Sequence, residues 1–118
     1  MVNHEAQLNR VFAALVHPTR RSILALLDQE REGLSVSGIA DPLHMKLPAL
    51  LKHLSVLEDA ELVRREKIGR TVQIHLAPES MAQATRWLQH YERFWSGSLD
   101  RLVAHAETKA ARAKRKPA

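Results

Sequence analysis

The spacing of apolar residues changes from a helical to an alternating period and back again along this chain. Residues 8–16 follow the i, i+3, i+4, i+7, i+8 pattern of an amphipathic helix. Pro18 ends that helix, because a residue before proline disfavours the α conformation, and it opens a second helix that extends to Asp28. A short helix is predicted over residues 34–42 and a fourth over residues 47–60. Short helices joined by a tight connector are typical of a helix-turn-helix.

Two runs with strand character follow the fourth helix. Residues 62–66 and 71–76 predict β-strands, and Gly69 between them supplies the turn of a hairpin. A two-stranded hairpin directly after a helix-turn-helix is the wing of a winged helix. The predicted fold class is therefore mainly α with a small β-hairpin, a winged helix-turn-helix.

The last predicted helix begins at residue 78, ends near residue 109 and carries a long apolar stripe. The stripe consists of Met81, Ala84, Leu88, Tyr91, Trp95, Leu99, Leu102 and Ala106. A helix of this length cannot bury such a stripe on a small domain by itself, so we expect a two-fold partner. The aromatic residues at 87–95 fit dimer packing, and an apolar pocket for an unknown small-molecule effector is the alternative.

The fourth helix has two unlike faces when it is projected at about 100° per residue. Leu50, Leu54 and Leu57 define the inward direction, whereas the outward face near the N-terminus is small or basic. A helix that enters the major groove needs such a face, because bases are read from its N-terminal half. A core helix with a solvated face would explain this stretch equally well by itself. The order of the elements makes double-stranded DNA the favoured partner.

Composition and charge limit the class of protein. The 118 residues include no cysteine, and the longest apolar run has six residues, so we expect a soluble cytoplasmic protein with no membrane partner. The formal charge of +5 comes from the end of the chain, where five of the 18 basic residues lie within residues 109–118. Residues 1–108 then carry 13 basic and 13 acidic groups. We therefore predict one domain over residues 1–108 and a basic, disordered tail over residues 109–118.

Three stretches in register resemble the ArsR family of winged-helix transcriptional repressors. They are HPTRRSIL at residues 17–24, LSVSGIA at residues 34–40 and LPALLKHLSVLEDAELVRREKIGRT at residues 47–71. The resemblance covers about residues 8–107, and the WLQHYERFW stretch is similar to a metal-independent branch of the family. It implies a homodimer that binds an operator and blocks transcription, with the first and last helices at the dimer interface. That interface would comprise Leu8, Phe12, Leu88, Tyr91, Trp95, Leu99 and Leu102.

Residues of the fourth helix and of the wing are the candidates for DNA binding. They are Lys46, Leu47, Ala49, Leu51, Lys52 and Ser55 around the fourth helix, Ser35 and Ser37 at the start of the third, and Lys67, Arg70 and Thr71 in the hairpin. Lys52 and Ser55 are assigned to base edges or phosphate, and Lys46 to phosphate. Lys46 and Leu51 depart from the family, which usually has a capping serine or threonine and a second serine there. Leucine cannot hydrogen-bond to a base, but it can meet a thymine methyl group.

The residues give no indication of a metal site, a cofactor or catalysis. Where thiol-using relatives carry a C-x-C motif this chain has Ser35 and Ser37, which are poor ligands for soft metals. The histidines are scattered and no motif places an acid-base pair, so we predict that the protein is not an enzyme. Two alternatives to a simple repressor stay open. One is a ligand- or metal-responsive sensor of the same fold, and the other is a protein-interaction module that no longer reads DNA.

Overall fold

The protein is described by a computed structural model that covers the backbone of residues 4–115 and their side chains, apart from those of His4, Trp95, Lys114 and Arg115. These residues form five helices and three strands. In chain order the elements are α1 (His4–Val16), α2 (Pro18–Asp28), β1 (Leu34–Ser35), α3 (Val36–Leu43), α4 (Leu47–Asp59), β2 (Val63–Ile68), β3 (Thr71–Leu76) and α5 (Pro78–Arg115). They divide into two compact units, of which the first ends at Ala84 and the second begins at Thr85.

The core of the first unit is built from the apolar faces of the first four helices and the sheet. Leu50, Leu54 and Leu57 of α4 are fully buried, which confirms the inward direction predicted for that helix. The remaining fully or nearly fully buried apolar residues are Val11, Ala14, Ile23, Leu27, Ile39, Ala40, Ala60, Leu62, Val63, Ile74 and Ala84. In α1 the stripe ends one residue early, because Val16 is 74% exposed.

The predicted two-stranded hairpin is part of a three-stranded antiparallel sheet with the strand order β1-β3-β2. Leu34 pairs with Ile74, so β3 is the central strand. The prediction of a single helix over residues 34–42 missed this strand, because two residues are too few to show an alternating pattern. The hairpin itself is confirmed, and its β2 strand continues to Ile68 rather than ending at Glu66.

Gln7 is a buried polar residue that joins α1 to the ends of two other elements. Its Nε2 atom donates to the Ala60 carbonyl oxygen at 2.7 Å and to the Ser80 hydroxyl at 3.3 Å. The Ser80 hydroxyl donates to Oε2 of Glu61 at 3.3 Å, and Nη1 of Arg10 donates to Oε1 of Gln7 at 3.3 Å. Both the donor and the acceptor of the Gln7 amide are therefore hydrogen-bonded. This avoids the loss of stability that a buried polar group without a partner would cause.

Two arginines of α2 close the C-terminal end of α1. Arg20 donates from Nε to the Ala14 carbonyl at 2.8 Å and from Nη2 to the Ala13 carbonyl at 3.2 Å. Nη1 of Arg21 donates to the Leu15 carbonyl at 2.6 Å and to the Val16 carbonyl at 2.9 Å. The last carbonyls of a helix lack intrahelical partners and carry partial negative charge, so both arginines stabilise the α1–α2 junction.

The last helix is longer than its sequence pattern predicts. It continues to Arg115, so residues 109–115 have helical backbone where the charge pattern predicts a disordered tail. The difference has a physical reason, because alanine, lysine and arginine are among the best helix formers and can extend a helix that has already started. None of the helices in the described part of the chain is long and apolar enough to cross a membrane.

Replacement of Gln7 by leucine tests the hydrogen bonds that join α1 to Ala60 and Ser80. Leucine has a similar size but leaves the Ala60 carbonyl oxygen without its donor, so we expect Gln7→Leu to lower the free energy of unfolding by about 1–3 kcal/mol. Urea denaturation followed by circular dichroism measures this loss. Asn9→Ala, on the exposed side of α1, is the control and should change stability by less than about 0.5 kcal/mol. Equal stability of Gln7→Leu and the parent chain would contradict the assignment.

Candidate nucleic-acid interface

The outer face of α4 presents every residue of that helix predicted to contact DNA. Lys46, Ala49 and Lys52 are exposed together with Ser55, and so are two leucines, Leu47 at 48% and Leu51 at 42%. The sequence has no acidic residue between Asp41 and Glu58, so the N-terminal half of this face carries positive charge only. The buried leucines on the opposite side fix the rotation of the helix, and with it the direction of these side chains.

The turn before α4 sets the geometry of the helix-turn-helix. α3 ends at Leu43, and its C-cap residue His44 has a left-handed backbone at φ 53°. The Met45 N–H donates to the Ala40 carbonyl at 3.0 Å. Lys46 then occupies the N-cap position of α4 with no side-chain hydrogen bond to the helix, as its chemistry predicts. The Lys46 ammonium group is therefore not used in capping. Pro48 fits the first turn of α4 because backbone N–H groups there have no intrahelical acceptor, so the N–H that proline lacks is not missed.

Ser35, a predicted DNA contact, has a structural role as the N-cap of α3. Its Oγ accepts a hydrogen bond from the Gly38 N–H at 3.0 Å and so caps α3, and the residue is only half-buried. The hydroxyl hydrogen is not consumed by this bond, because a serine can donate while it accepts. Ser37, one residue into α3, is exposed beside it.

The wing ends in a two-residue loop, Gly69 and Arg70, next to the other hairpin residues predicted to contact DNA. Ile68 pairs with Thr71 across the loop, and Gly69 has φ 62°, a conformation that glycine adopts at no steric cost. Lys67, Arg70 and Thr71 are exposed around this tip. Ile68 is 53% exposed between them and was not identified from the sequence, because an apolar residue in a strand is ordinarily expected to face the core.

An ion pair joins the far end of α4 to the wing. Nε of Arg65 on β2 contacts Oε1 of Glu58 on α4, with both side chains partly exposed. The contact neutralises one wing arginine and leaves Lys67 and Arg70 as the cations nearest the tip. It joins β2 to the C-terminal end of α4, two elements that also pack against each other.

Two histidines link α4 to the start of α2. His17 is the N-cap of α2, where its Nδ1 accepts from the Thr19 N–H at 3.2 Å. Its ring lies 4.5 Å from that of His53, centroid to centroid, on the flank of α4. Burial lowers the pKa of His53 from the usual value of histidine, and the neighbouring His17 and the Arg20 guanidinium lower it further. No sequence pattern predicts this pair, because its members come from separate helices.

The predicted dimer residues lie in different parts of the chain. Leu8 and Phe12 of α1 are half-buried and pack against the core of the first unit. In the second unit the described members, Leu88, Tyr91, Leu99 and Leu102, are all exposed, by between 41% and 62%. The Trp95 side chain falls outside the described part of the structure. Among the described residues no three histidine, aspartate or glutamate side chains come together in a way that would hold a metal ion.

Comparisons with known proteins agree with this geometry. Residues 15–66 match the model of a helix-turn-helix domain, and this range includes the whole of α2, α3 and α4. The chain is 27% identical over 84 residues to the transcriptional repressor SdpR of Bacillus subtilis (strain 168). That match covers 71% of this chain and 91% of SdpR.

Two solved structures have the same fold. The crystal structure of an ArsR family transcriptional regulator is 34% identical, covers 81% of this chain and 97% of its own, and superposes with a TM-score of 0.70. The homodimeric winged helix-turn-helix DNA-binding domain Mb0332 of Mycobacterium bovis is 26% identical, covers 80% of this chain and 91% of its own, and has a TM-score of 0.60.

The lowered pKa of His53 predicts how stability depends on pH. In the unfolded chain this histidine has its usual pKa of about 6.5, so below that pH the unfolded state binds more protons than the folded state. The contribution of His53 to stability is therefore fully present above about pH 6.5 and is lost as the pH falls through the lower, folded pKa. We expect His53→Gln to show a smaller loss of melting temperature than the parent chain between about pH 8 and pH 5.

The matched control for this prediction is Lys52→Gln. It changes the preceding exposed residue and keeps His53, so it should follow the parent profile. Parallel melting curves for His53→Gln and the parent chain over the whole pH range would contradict the prediction.

Proposed function

We propose that this chain, which belongs to the ArsR family of transcriptional regulators, is a homodimeric repressor that binds a near-palindromic operator in double-stranded DNA. In this proposal each α4 helix enters the major groove of one half-site, with half-sites about one or two DNA turns apart. The repressor activity of SdpR and the DNA-binding homodimer from Mycobacterium bovis support the proposal. The observation that most directly supports the proposal is the exposed outer face of α4.

That face matches the requirements of a major groove. The groove is about 12 Å wide and admits one helix, provided that the leading side chains are small or cationic. Ala49 and Ser55 are small, Lys46 and Lys52 are cationic, and all four are exposed. The first acidic residues after them come at the C-terminal end of the helix, at positions 58 and 59, where it would lift away from the phosphates.

We assign the residues to three kinds of contact. Lys52 and Ser55 contact base edges or phosphate, and Leu51 packs against a thymine methyl group. Lys46 and the serines at the start of α3, Ser35 and Ser37, contact phosphates, which position the protein but do not read sequence. In the wing, Lys67, Arg70 and Thr71 contact the adjacent backbone and the minor groove.

The dimer in this proposal forms through the second unit. Its helix exposes a stripe of large apolar side chains, with Leu99 at 53%, Leu102 at 62% and Val103 at 53%. Contiguous apolar surface of this kind is rare on soluble monomers and ordinarily marks an interface. Trp87 and Tyr91, whose ring centroids lie 5.0 Å apart, extend the same helix surface and fit tight packing against a second copy. A two-fold partner would also duplicate α4, which a palindromic operator requires.

One observation favours a second candidate function, a protein-interaction module. Leu47, Leu51 and Val56 are exposed by 48%, 42% and 37% on α4, which makes the helix surface more apolar than phosphate contacts require. Such a face fits an apolar partner groove as well as a thymine-rich half-site. The two candidates differ in whether the chain retains DNA.

Selection of bound genomic DNA tests the proposed function. The full chain is mixed with sheared DNA from the source organism at about 0.15 M salt, and retained fragments are sequenced. We expect one near-palindromic motif to be enriched, because each dimer presents two identical reading helices. Retention without a shared motif would indicate electrostatic binding only. No retention would contradict the repressor and favour the protein-interaction module.

Lys52→Ala is the quantitative part of this test. On a duplex containing the selected motif we expect it to weaken binding by about 1–3 kcal/mol, because it removes one contact to a base or a phosphate. Asp28→Ala, on the exposed end of α2, is the matched control and should leave binding unchanged. Unchanged affinity of Lys52→Ala, in a chain with the parent melting temperature, would refute the assignment of this residue.

Leu102→Asp tests the dimer. A carboxylate in an apolar interface is desolvated without a partner, so we expect the variant to be monomeric at micromolar concentration and to bind the selected duplex at least about tenfold more weakly. Size-exclusion chromatography with light scattering measures the mass. Arg93→Asp, which places the same charge on the polar side of the helix, should stay dimeric. A dimeric Leu102→Asp would place the interface elsewhere.

A further inference from the structure

A stripe of basic side chains runs along the C-terminal part of α5, and the function proposed above does not use it. Arg101, His105, Lys109 and Arg112 are exposed and recur at helical spacing. Projected at about 100° per residue, the four lie within a sector of about 80°. We call these four residues the basic stripe. Two of its members, Lys109 and Arg112, belong to the charge surplus that the sequence confines to residues 109–118.

The acidic residues of the same turns point away from the basic stripe. Asp100 and Glu107 project about 100° or more from Arg101, on the side opposite to Lys109. The positive charge of the stripe is therefore not cancelled by carboxylates within its own sector of the helix.

Between Leu99 and Arg115, the large apolar residues of α5 border the basic stripe on one side only. Leu99 and Val103 project about 160° from Arg101 in either direction, and Leu102 lies nearest to the stripe, about 20° beyond Lys109. Long basic side chains at the edge of an apolar surface keep their charged ends in water. A partner that covers the apolar side would therefore leave the charged groups of the stripe open to solvent.

The surface between the basic side chains is open to solvent. A shallow groove is lined by Ala104, His105, Thr108, Lys109 and Arg112. Alanine and threonine are short, so a phosphate group can approach between the longer cationic side chains, and the Thr108 hydroxyl is an additional donor. Arg101 uses one donor, its Nε, on the Gly97 carbonyl at 3.3 Å, and a guanidinium has four more N–H groups.

We propose that the basic stripe binds the phosphate backbone of double-stranded DNA, outside the bases that α4 reads. This inference rests on the proposed function and adds a second, sequence-independent contact to it. From Arg101 to Arg112 the helix rises about 16 Å, which corresponds to roughly five phosphates of one strand at about 3.4 Å each along the DNA axis. A helix holds its charges at fixed intervals, so less entropy is lost on binding than with an unstructured basic tail.

A lipid surface is the rival polyanion, and the composition of the helix disfavours it. Helices that lie on membranes pair their basic face with large apolar residues that enter the acyl region. From Ala104 to Arg115 this helix contains alanine but no large apolar residue. The turns that carry Lys109 and Arg112 therefore have positive charge without a membrane anchor, a combination suited to a phosphate backbone in water.

Salt-dependent binding to DNA of arbitrary sequence tests the basic stripe. The probe is a fluorescein-labelled duplex of roughly 30 base pairs that lacks the selected motif, and anisotropy gives Kd between about 50 and 200 mM salt. We expect Lys109→Gln/Arg112→Gln to bind about tenfold or more weakly near 0.1 M salt. The slope of log Kd against log salt should fall by about 0.9 for each phosphate that the variant no longer neutralises. Glutamine preserves helix propensity, and circular dichroism with light scattering verifies helicity and mass.

The matched control removes the same charge from another sector of the same helix. Arg86→Gln/Arg93→Gln should keep the parent affinity and slope, because both residues project away from the stripe. An unchanged slope for Lys109→Gln/Arg112→Gln would overturn the inference. Equal losses in both double variants would overturn it too, because they would indicate net charge rather than a stripe. Stripe-dependent binding to phosphatidylserine vesicles without any effect on the duplex would assign the stripe to lipid and overturn the inference as well.

The two proposals fail in different ways. Failure of the repressor is the absence of an enriched motif with the parent chain, whatever the slope on arbitrary DNA. Failure of the basic stripe is an unchanged slope in the double variant, whatever motif the parent chain selects. If both proposals hold, Lys109→Gln/Arg112→Gln enriches the same motif as the parent chain with lower overall retention.

Discussion

The burial of one side of α4 is the constraint on which the rest of the structure depends. Leu50, Leu54 and Leu57 are completely removed from solvent, and each fully buried leucine contributes about 1.5–3 kcal/mol relative to an exposed one. These three residues fix the rotation of the helix about its own axis. Because the helix cannot turn, Lys52 and Ser55 have to face outward, and the surface offered to a partner is set by the core rather than by the partner.

The elements around α4 add restraints that act on its two ends. At the N-terminal end Lys46 provides no cap, so the position of this end relies on the turn at His44. Near the middle of the helix, the ring of His53 contacts that of His17. At the C-terminal end the Ala60 carbonyl accepts from Gln7, and Glu58 pairs with Arg65 of the wing. A helix that is held at both ends is preorganised, which lowers the entropy that binding a partner would otherwise cost.

Much of this arrangement could be predicted from the sequence, and the exceptions have physical reasons. The inward leucines, the wing and the long last helix were predicted because each has a period that repeats several times. β1 was missed because a two-residue strand has no period, and its pairing of Leu34 with Ile74 depends on tertiary contact. The His17–His53 contact and the half-burial of Leu8 and Phe12 were hidden for the same reason, since a single sequence does not show which helices meet. In the candidate site, the helical projection of α4 predicted the exposure of Lys52 and its neighbours. The exposure of Ile68 in the wing was not predicted.

For the choice of partner, the positions of the charged residues matter more than the net charge of the chain. A formal charge of +5 suggests a polyanion as partner, yet residues 1–108 are neutral in sum and the surplus lies beyond them. Within the first unit, residues 46–59 contain two lysines and two acidic residues, so their formal net charge is zero. The acidic residues lie at the C-terminal end of α4, so the outer face of its N-terminal half is cationic. In the second unit, helical backbone places Lys109 and Arg112 of this surplus in a stripe that is separate from the apolar residues Leu99 and Val103. Under the two proposals, specific reading belongs to α4 and non-specific attraction to α5, so changes in one helix need not alter the role of the other.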